Sequence, residues 1–230
     1  MTAGWKPTIP PVDEIRSWHP QDVPATPAQQ RKQALADTLR ALVADVLMLD
    51  SAAIGVDGFA EAQELLDKAR AHVAGLPEIR DKGGLFGNPE DFSLFERSPF
   101  SGRCNALATP MTMTFEGRTT KAHATYGDAY EGPRGSVHGG HVIAAFDDLL
   151  GVAQAASGSP GLTGTLSVRL VSRTPLHERV DYEAGVQSHE GRKVIAWGRS
   201  YHGETLLAEA TAIFITPRGG ILSAHPTSAD

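Results

Sequence analysis

Apolar residues return at helical spacing over residues 33–49, as Leu35, Leu39, Leu42, Val43, Val46 and Leu49, and this predicts an amphipathic helix. A second helix is predicted over 58–74, with Phe59, Ala62, Leu65, Leu66, Ala69 and Val73 on one side. Asp57 is its expected N-cap, and Gly75 with Pro77 its stop. Upstream, Pro7, Pro10, Pro11, Pro20, Pro24 and Pro27 disfavour regular structure and predict an extended arm over 1–28. Residues 80–103 are rich in Gly, Pro, Asp and Ser and read as a long loop.

The period then changes. Residues 105–116 and 119–126 read as two strands around a turn at Gly117. Strand-like runs follow at 162–172, 180–189, 193–201 and 205–216, with Pro175, Glu190-Gly191 and His202-Gly203 in the turns. Between the two groups, 139–156 is apolar nearly all round, which predicts a buried helix. Short turns imply antiparallel pairing. Strands, one buried helix and a strand meander make an α+β domain. The expected organisation is an arm at 1–28, a helical extension with its loop at 29–100, the α+β domain at 101–218 and a tail at 219–230.

Composition narrows the function classes. The chain has 230 residues and 41% apolar residues, enough for one core with an extension. Its 21 basic against 27 acidic residues leave a net charge of −6, which argues against nucleic acid as the main partner. A small anionic ligand stays open, because a few local arginines can hold a phosphate. Cys104 is the only cysteine, so no intramolecular disulfide forms, as in a reducing compartment. No apolar run approaches the roughly 20 residues that span a bilayer, and the N-terminus lacks a secretory pattern. A cytoplasmic protein without a membrane partner is expected.

One segment carries candidate chemistry, running from Gly135-Ser136-Val137-His138-Gly139-Gly140-His141 through Asp147 and Asp148 to Gly151. An unpaired carboxylate in an apolar helix is costly, so each aspartate must be paired, solvated in a pocket or made neutral. Helical neighbours point about 100° apart, so one of the two faces a site and the other is structural. Gly139 and Gly140 open the helix, where the first N–H groups lack intrahelical partners and the dipole is positive. Glycine allows close approach to that backbone, which suits a developing oxyanion. Asp147 lies about 12 Å along the axis from Gly139, too far for both to act on one carbon within one helix. An antiparallel helix from another subunit would bring the two together.

His138 and His141 lack the helical i, i+4 spacing and a clear third ligand, so no metal is expected. Cys104 has no local histidine to activate it and reads as inert.

His138-Gly139-Gly140 followed by Asp147 resembles the PaaI-like branch of the hot-dog acyl-CoA thioesterases, within the 4-hydroxybenzoyl-CoA thioesterase superfamily. Gly161 to Val168 with Pro175 beyond resembles that family's next strand and turn, and Glu204 to Phe214 its closing strand. The resemblance covers about residues 103–217. It implies a hot-dog fold, a central helix wrapped by a curved antiparallel sheet. It also implies a homodimer or tetramer with sites at the dimer interface.

Carried over, Asp147 matches the catalytic carboxylate, acting as nucleophile or as base on water. The Gly139 N–H matches the oxyanion donor, with Gly140 beside it on the substrate. His138 matches the residue beside the thioester, and Thr165 the hydroxyl that holds attacking water. Gly132 stands where some members carry Asn or Gln, so that side chain's role is absent here; Glu131 could replace it only with a different geometry. No cofactor is implied beyond coenzyme A as part of the substrate. Among the arginines of the meander, Arg173 is the best candidate for the coenzyme A phosphates. The alternative function is a hot-dog module that binds acyl-CoA without turnover, for which a buried carboxylate at 147 is unnecessary.

Overall fold

The computed structural model describes residues 25–78, 96–109, 111–116, 119–155 and 160–218. The turn at Gly117, the tail at 219–230, most of the Pro-rich arm and most of the 80–103 loop lie outside these residues.

The first helix, α1 (Pro27–Leu47), starts six residues earlier than its apolar period. Thr26 and Gln29 form a reciprocal capping box, and Pro27 sits at the helix start, where its missing N–H removes no bond. Pro27 therefore belongs to the helix and not to the arm. The second helix, α2 (Ser51–Ala74), is capped by Asp50, whose Oδ1 accepts the N–H groups of Ala52 and Ala53. This corrects the expected cap at Asp57. Gly55, at φ +71°, interrupts the helix one turn after that cap.

β1 (Thr112–Glu116) is shorter than expected. Residues 105–109 form turns instead, because the Asn105 side chain accepts the Leu107 N–H and its carbonyl accepts that of Ala108. β2 (Thr119–Thr125) follows, then a 3-10 turn at Asp128–Tyr130 and the helix α3 (Gly139–Ala155). The rest of the chain is β3 (Leu162–Leu170), β4 (Arg179–Glu190), β5 (Lys193–His202) and β6 (Thr205–Ile215).

The six strands form one antiparallel sheet in the order β1-β2-β4-β5-β6-β3. β3 closes one edge although it precedes β4 in the chain, so α3 crosses the sheet before the meander begins. The helix buries Val142, Ala145, Phe146, Leu149, Leu150, Val152 and Ala153 against inward residues such as Tyr182, Val194, Ala196 and Phe214. Burial of this apolar face is the main force holding the domain together. This is the hot-dog architecture, with an N-terminal helical extension.

The extension is covered less than its pattern predicts. α1 buries only Ala36, and Leu35, Leu39, Val43 and Val46 stay exposed. α2 buries no residue. Among the described residues of one chain, the hot-dog domain does not cover these apolar faces.

Candidate functional site

The site starts from the loop before α3. His138 donates its N–H to the Tyr130 carbonyl (2.8 Å), and Val137 donates to Thr174 (2.9 Å). Gly132 donates to the Ser136 carbonyl (2.9 Å). A Cβ at Gly132 would stand 2.7 Å from His138 Cα, so no side chain fits there without moving the histidine. The Asn or Gln that the resemblance offers at this position in some members has no room here. Glu131 does not replace it: its carboxylate accepts the Gly135 N–H at 2.6 Å and closes the turn.

His138 is the residue before the helix, and its Nδ1 accepts the Gly140 N–H at 3.0 Å. It acts as the N-cap, satisfying one orphan donor. An accepting Nδ1 leaves the proton of the neutral ring on Nε2. Gly140's N–H is thereby committed to His138. Gly139's N–H has no hydrogen-bond partner among the described residues. His141 stacks edge-on against Tyr130 with ring centroids 5.0 Å apart, and burial, then the neighbouring His138, push its pKa below the usual histidine range.

Two turns along α3 the aspartates part company. Asp147 is half-buried, and Thr163 Oγ1 donates to its Oδ1 at 3.0 Å. Asp148 points instead to the 98–101 turn, where the Ser98 hydroxyl lies 3.1 Å from both carboxylate oxygens. Burial pushes the Asp148 pKa up, the Ser101 and Ser98 hydroxyls oppose this, and the neighbouring Asp147 adds to the rise.

The hydroxyl beside Asp147 is thus that of Thr163 and not that of Thr165. The register between β3 and β6 shifts between Thr163 and Thr165, a bulge at Gly164. Thr163 pairs with Phe214, an inward residue, and Thr165 with Ile213, so alternation puts Thr165 on the face away from α3. The glycine between two threonines was the available signal, because a glycine inside a strand often marks a bulge.

Arg173 is exposed on the segment that pairs with the loop before α3, next to Thr174. Arg169, Arg179 and Arg199 pair with Glu209, Asp181 and Glu183, and Arg192 donates to the Thr216 carbonyl. Arg173 has no such partner among the described residues. Cys104 is partly buried, and its thiol is pushed up to about 11, chiefly by burial. It is a poor nucleophile. No described helix is long and apolar enough to cross a membrane.

No protein-family model matches the chain, and no curated protein matches it. Solved structures do. The chain is similar to a thioesterase superfamily protein at 26% identity and a TM-score of 0.70, over 80% of this chain and 94% of that one. It is also similar to thioesterase superfamily member 2 from Mus musculus (14% identity, 46% and 80% of the two chains, TM-score 0.43). A phenylacetic acid degradation-related protein from Ralstonia eutropha JMP134 matches at 18% identity over 46% and 84%, with a TM-score of 0.42. The chain shares the hot-dog fold of the thioesterase superfamily protein it matches at a TM-score of 0.70. Residues 101–218 are about half of the chain, so the 80% match extends into the helical extension.

Proposed function

We propose that the protein hydrolyses an acyl-CoA thioester to the free acid and coenzyme A, at a site shared between two copies of the chain. The observation that carries this reading is the pairing of two features on one helix. At its N-terminus the Gly139 N–H is open, and two turns on a half-buried Asp147 is held by Thr163. Gly139 of one copy polarises the thioester carbonyl and stabilises the oxyanion. Asp147 of the other either attacks that carbon or takes a proton from the attacking water. The C–S bond breaks, the thiol of coenzyme A leaves, and water supplies the oxygen of the acid.

His138 contributes its Nε2–H beside the carbonyl, and Arg173 meets a phosphate of coenzyme A. Thr163 orients Asp147, leaving Thr165 on the outer face of β3. The assembly is a homodimer or a higher oligomer built from it, in the cytoplasm.

The test is thiol release across short, long and aromatic acyl-CoA substrates, with the Asp147→Asn variant alongside. Turnover should fall by about a hundredfold or more in Asp147→Asn, with KM little changed, because the carboxylate serves the chemical step. Binding without turnover in the wild type would favour the acyl-CoA-binding module instead.

A further inference from the structure

Asp148 is an enclosed ionisable group that the proposed reaction does not use. Ser98 is fully buried and Ser101 nearly so. The Ser98 oxygen accepts the N–H groups of Phe100 and Ser101, both at 3.2 Å. A hydroxyl has two lone pairs and one hydrogen. Both lone pairs are taken, so the hydrogen goes to Asp148, and the 98–101 turn is shaped to donate to a carboxylate.

The turn is itself held from outside the hot-dog domain. Lys32 of α1 pairs with the buried Glu96 at 2.6 Å. Arg40 of α1 donates to the carbonyls of Asn105 (2.7 Å) and Arg103 (3.2 Å). Ala36, the one buried residue of α1, lies between these two anchors in the sequence. A continuous set of polar contacts therefore runs from α1, through the 96–105 loop, to the residue next to Asp147.

On the sheet side of α3, Asp147 accepts a hydrogen bond from Thr163 and Gln154 exchanges hydrogen bonds with Gly161, and the face it buries against the sheet is otherwise apolar. Hydrophobic contact is non-directional and tolerates small rotations of a helix in its groove, whereas a hydrogen-bonded carboxylate does not. We propose that α1 and the 96–105 loop are a positioning element of the active site, which acts through Ser98, Ser101 and Asp148 to set the rotation of α3 that aims Asp147. Asp148 is a positioning residue and touches no reacting atom. The kinetic consequence rests on the thioesterase reading; the mechanical coupling does not.

The experiment compares wild type, Lys32→Ala/Arg40→Ala, Ser98→Ala, Asp148→Asn and Asp148→Ala in the full-length chain. It reads kcat and KM for acyl-CoA hydrolysis, and hydrogen exchange of the α3 amides. Asn retains a carbonyl acceptor for the Ser98 hydrogen, so Asp148→Asn should keep most of kcat. Asp148→Ala and Ser98→Ala should lose about tenfold in kcat with KM within about twofold, since small misplacements near the chemistry act on rate. Lys32→Ala/Arg40→Ala, remote from the substrate, should lose about threefold, with faster exchange in α3.

Wild-type kcat and wild-type α3 protection in the folded Lys32→Ala/Arg40→Ala and Ser98→Ala proteins would overturn the proposal. If Ser98→Ala fails to fold, the Lys32→Ala/Arg40→Ala protein decides alone. If the wild type hydrolyses no acyl-CoA, the functional reading fails and the exchange data still judge the coupling.

Discussion

Thr163 and Thr165 differ by two positions and by the face of the sheet they occupy. A two-residue separation in a regular strand would keep them on one face, and the bulge at Gly164 reverses that. The consequence is measurable. Thr163→Val should lower kcat about tenfold by removing the donor on Asp147, Thr163→Ser should retain most activity, and Thr165→Val should stay near wild type. Steady-state kinetics on the best acyl-CoA from the screen separates these outcomes. The aspartates divide in the same way, with Asp147 toward β3 and Asp148 toward the 98–101 turn. Burial raises the Asp148 pKa in the folded state above its unfolded value. The folded state then binds the proton more tightly, so this group favours folding at low pH. That contribution is lost as pH rises from the ordinary carboxylate range, about 4, through the raised folded value. Asp148→Asn should lack this slope. Urea midpoints of the two proteins at increasing pH should therefore diverge in favour of Asp148→Asn.

Among the elements, α3 does the most, since it fills the groove of the sheet and carries Gly139 at one end and Asp147 two turns on. It packs tightly over β5 at Gly198. A Cβ there would stand 3.2 Å from Leu150 Cδ2 and from two ring carbons of Phe146, both fully buried. Gly198→Val should destabilise the domain by about 1–3 kcal/mol through overpacking, read as a lower urea midpoint at unchanged m-value. The long strands and this helix were legible in the sequence, because period-2 alternation and an all-round apolar helix are unambiguous patterns. Asn105 to Thr109 was not, because a side chain that caps its own turn outcompeted the strand pattern. The start of α2 was missed for a related reason. Asp50 and Asp57 are both good caps, and the interruption at Gly55 comes between them.

At the scale of the molecule, the distance of about 12 Å between Gly139 and Asp147 along one helix is the reason a site shared between two copies is proposed. Two inactive variants should then restore one another. Gly139→Pro removes the N–H at the first helical position, where proline is tolerated, and Asp147→Asn removes the carboxylate. Mixed dimers of the two carry one intact site and one doubly defective site. Refolding an equimolar mixture should recover about a quarter of wild-type activity, with dimers forming at random and half of them mixed. No recovery, with each variant still dimeric and binding acyl-CoA, would place both groups on the same chain's site. The exposed residues of α1 and α2 belong to this scale too, since Leu35, Leu39, Val43, Leu65 and Leu66 are not covered by the described residues of their own chain.

Local patterns along the chain were enough to give the α+β order of elements, the antiparallel meander, the buried helix and the candidate groups near its N-terminus. These follow from local periodicity, glycine placement and the cost of a carboxylate in an apolar helix, all written in neighbouring residues. Which threonine meets Asp147, what holds Asp148, and why nothing but glycine fits at 132 were decided only by the tertiary structure. Thr163 reaches Asp147 because a bulge turns it onto the helix side of the sheet, Ser98 reaches Asp148 from 50 residues away, and Gly132 lies against His138. Contacts between segments distant in the chain leave no period in the sequence, and a one-residue change of strand register moves a side chain to the opposite face.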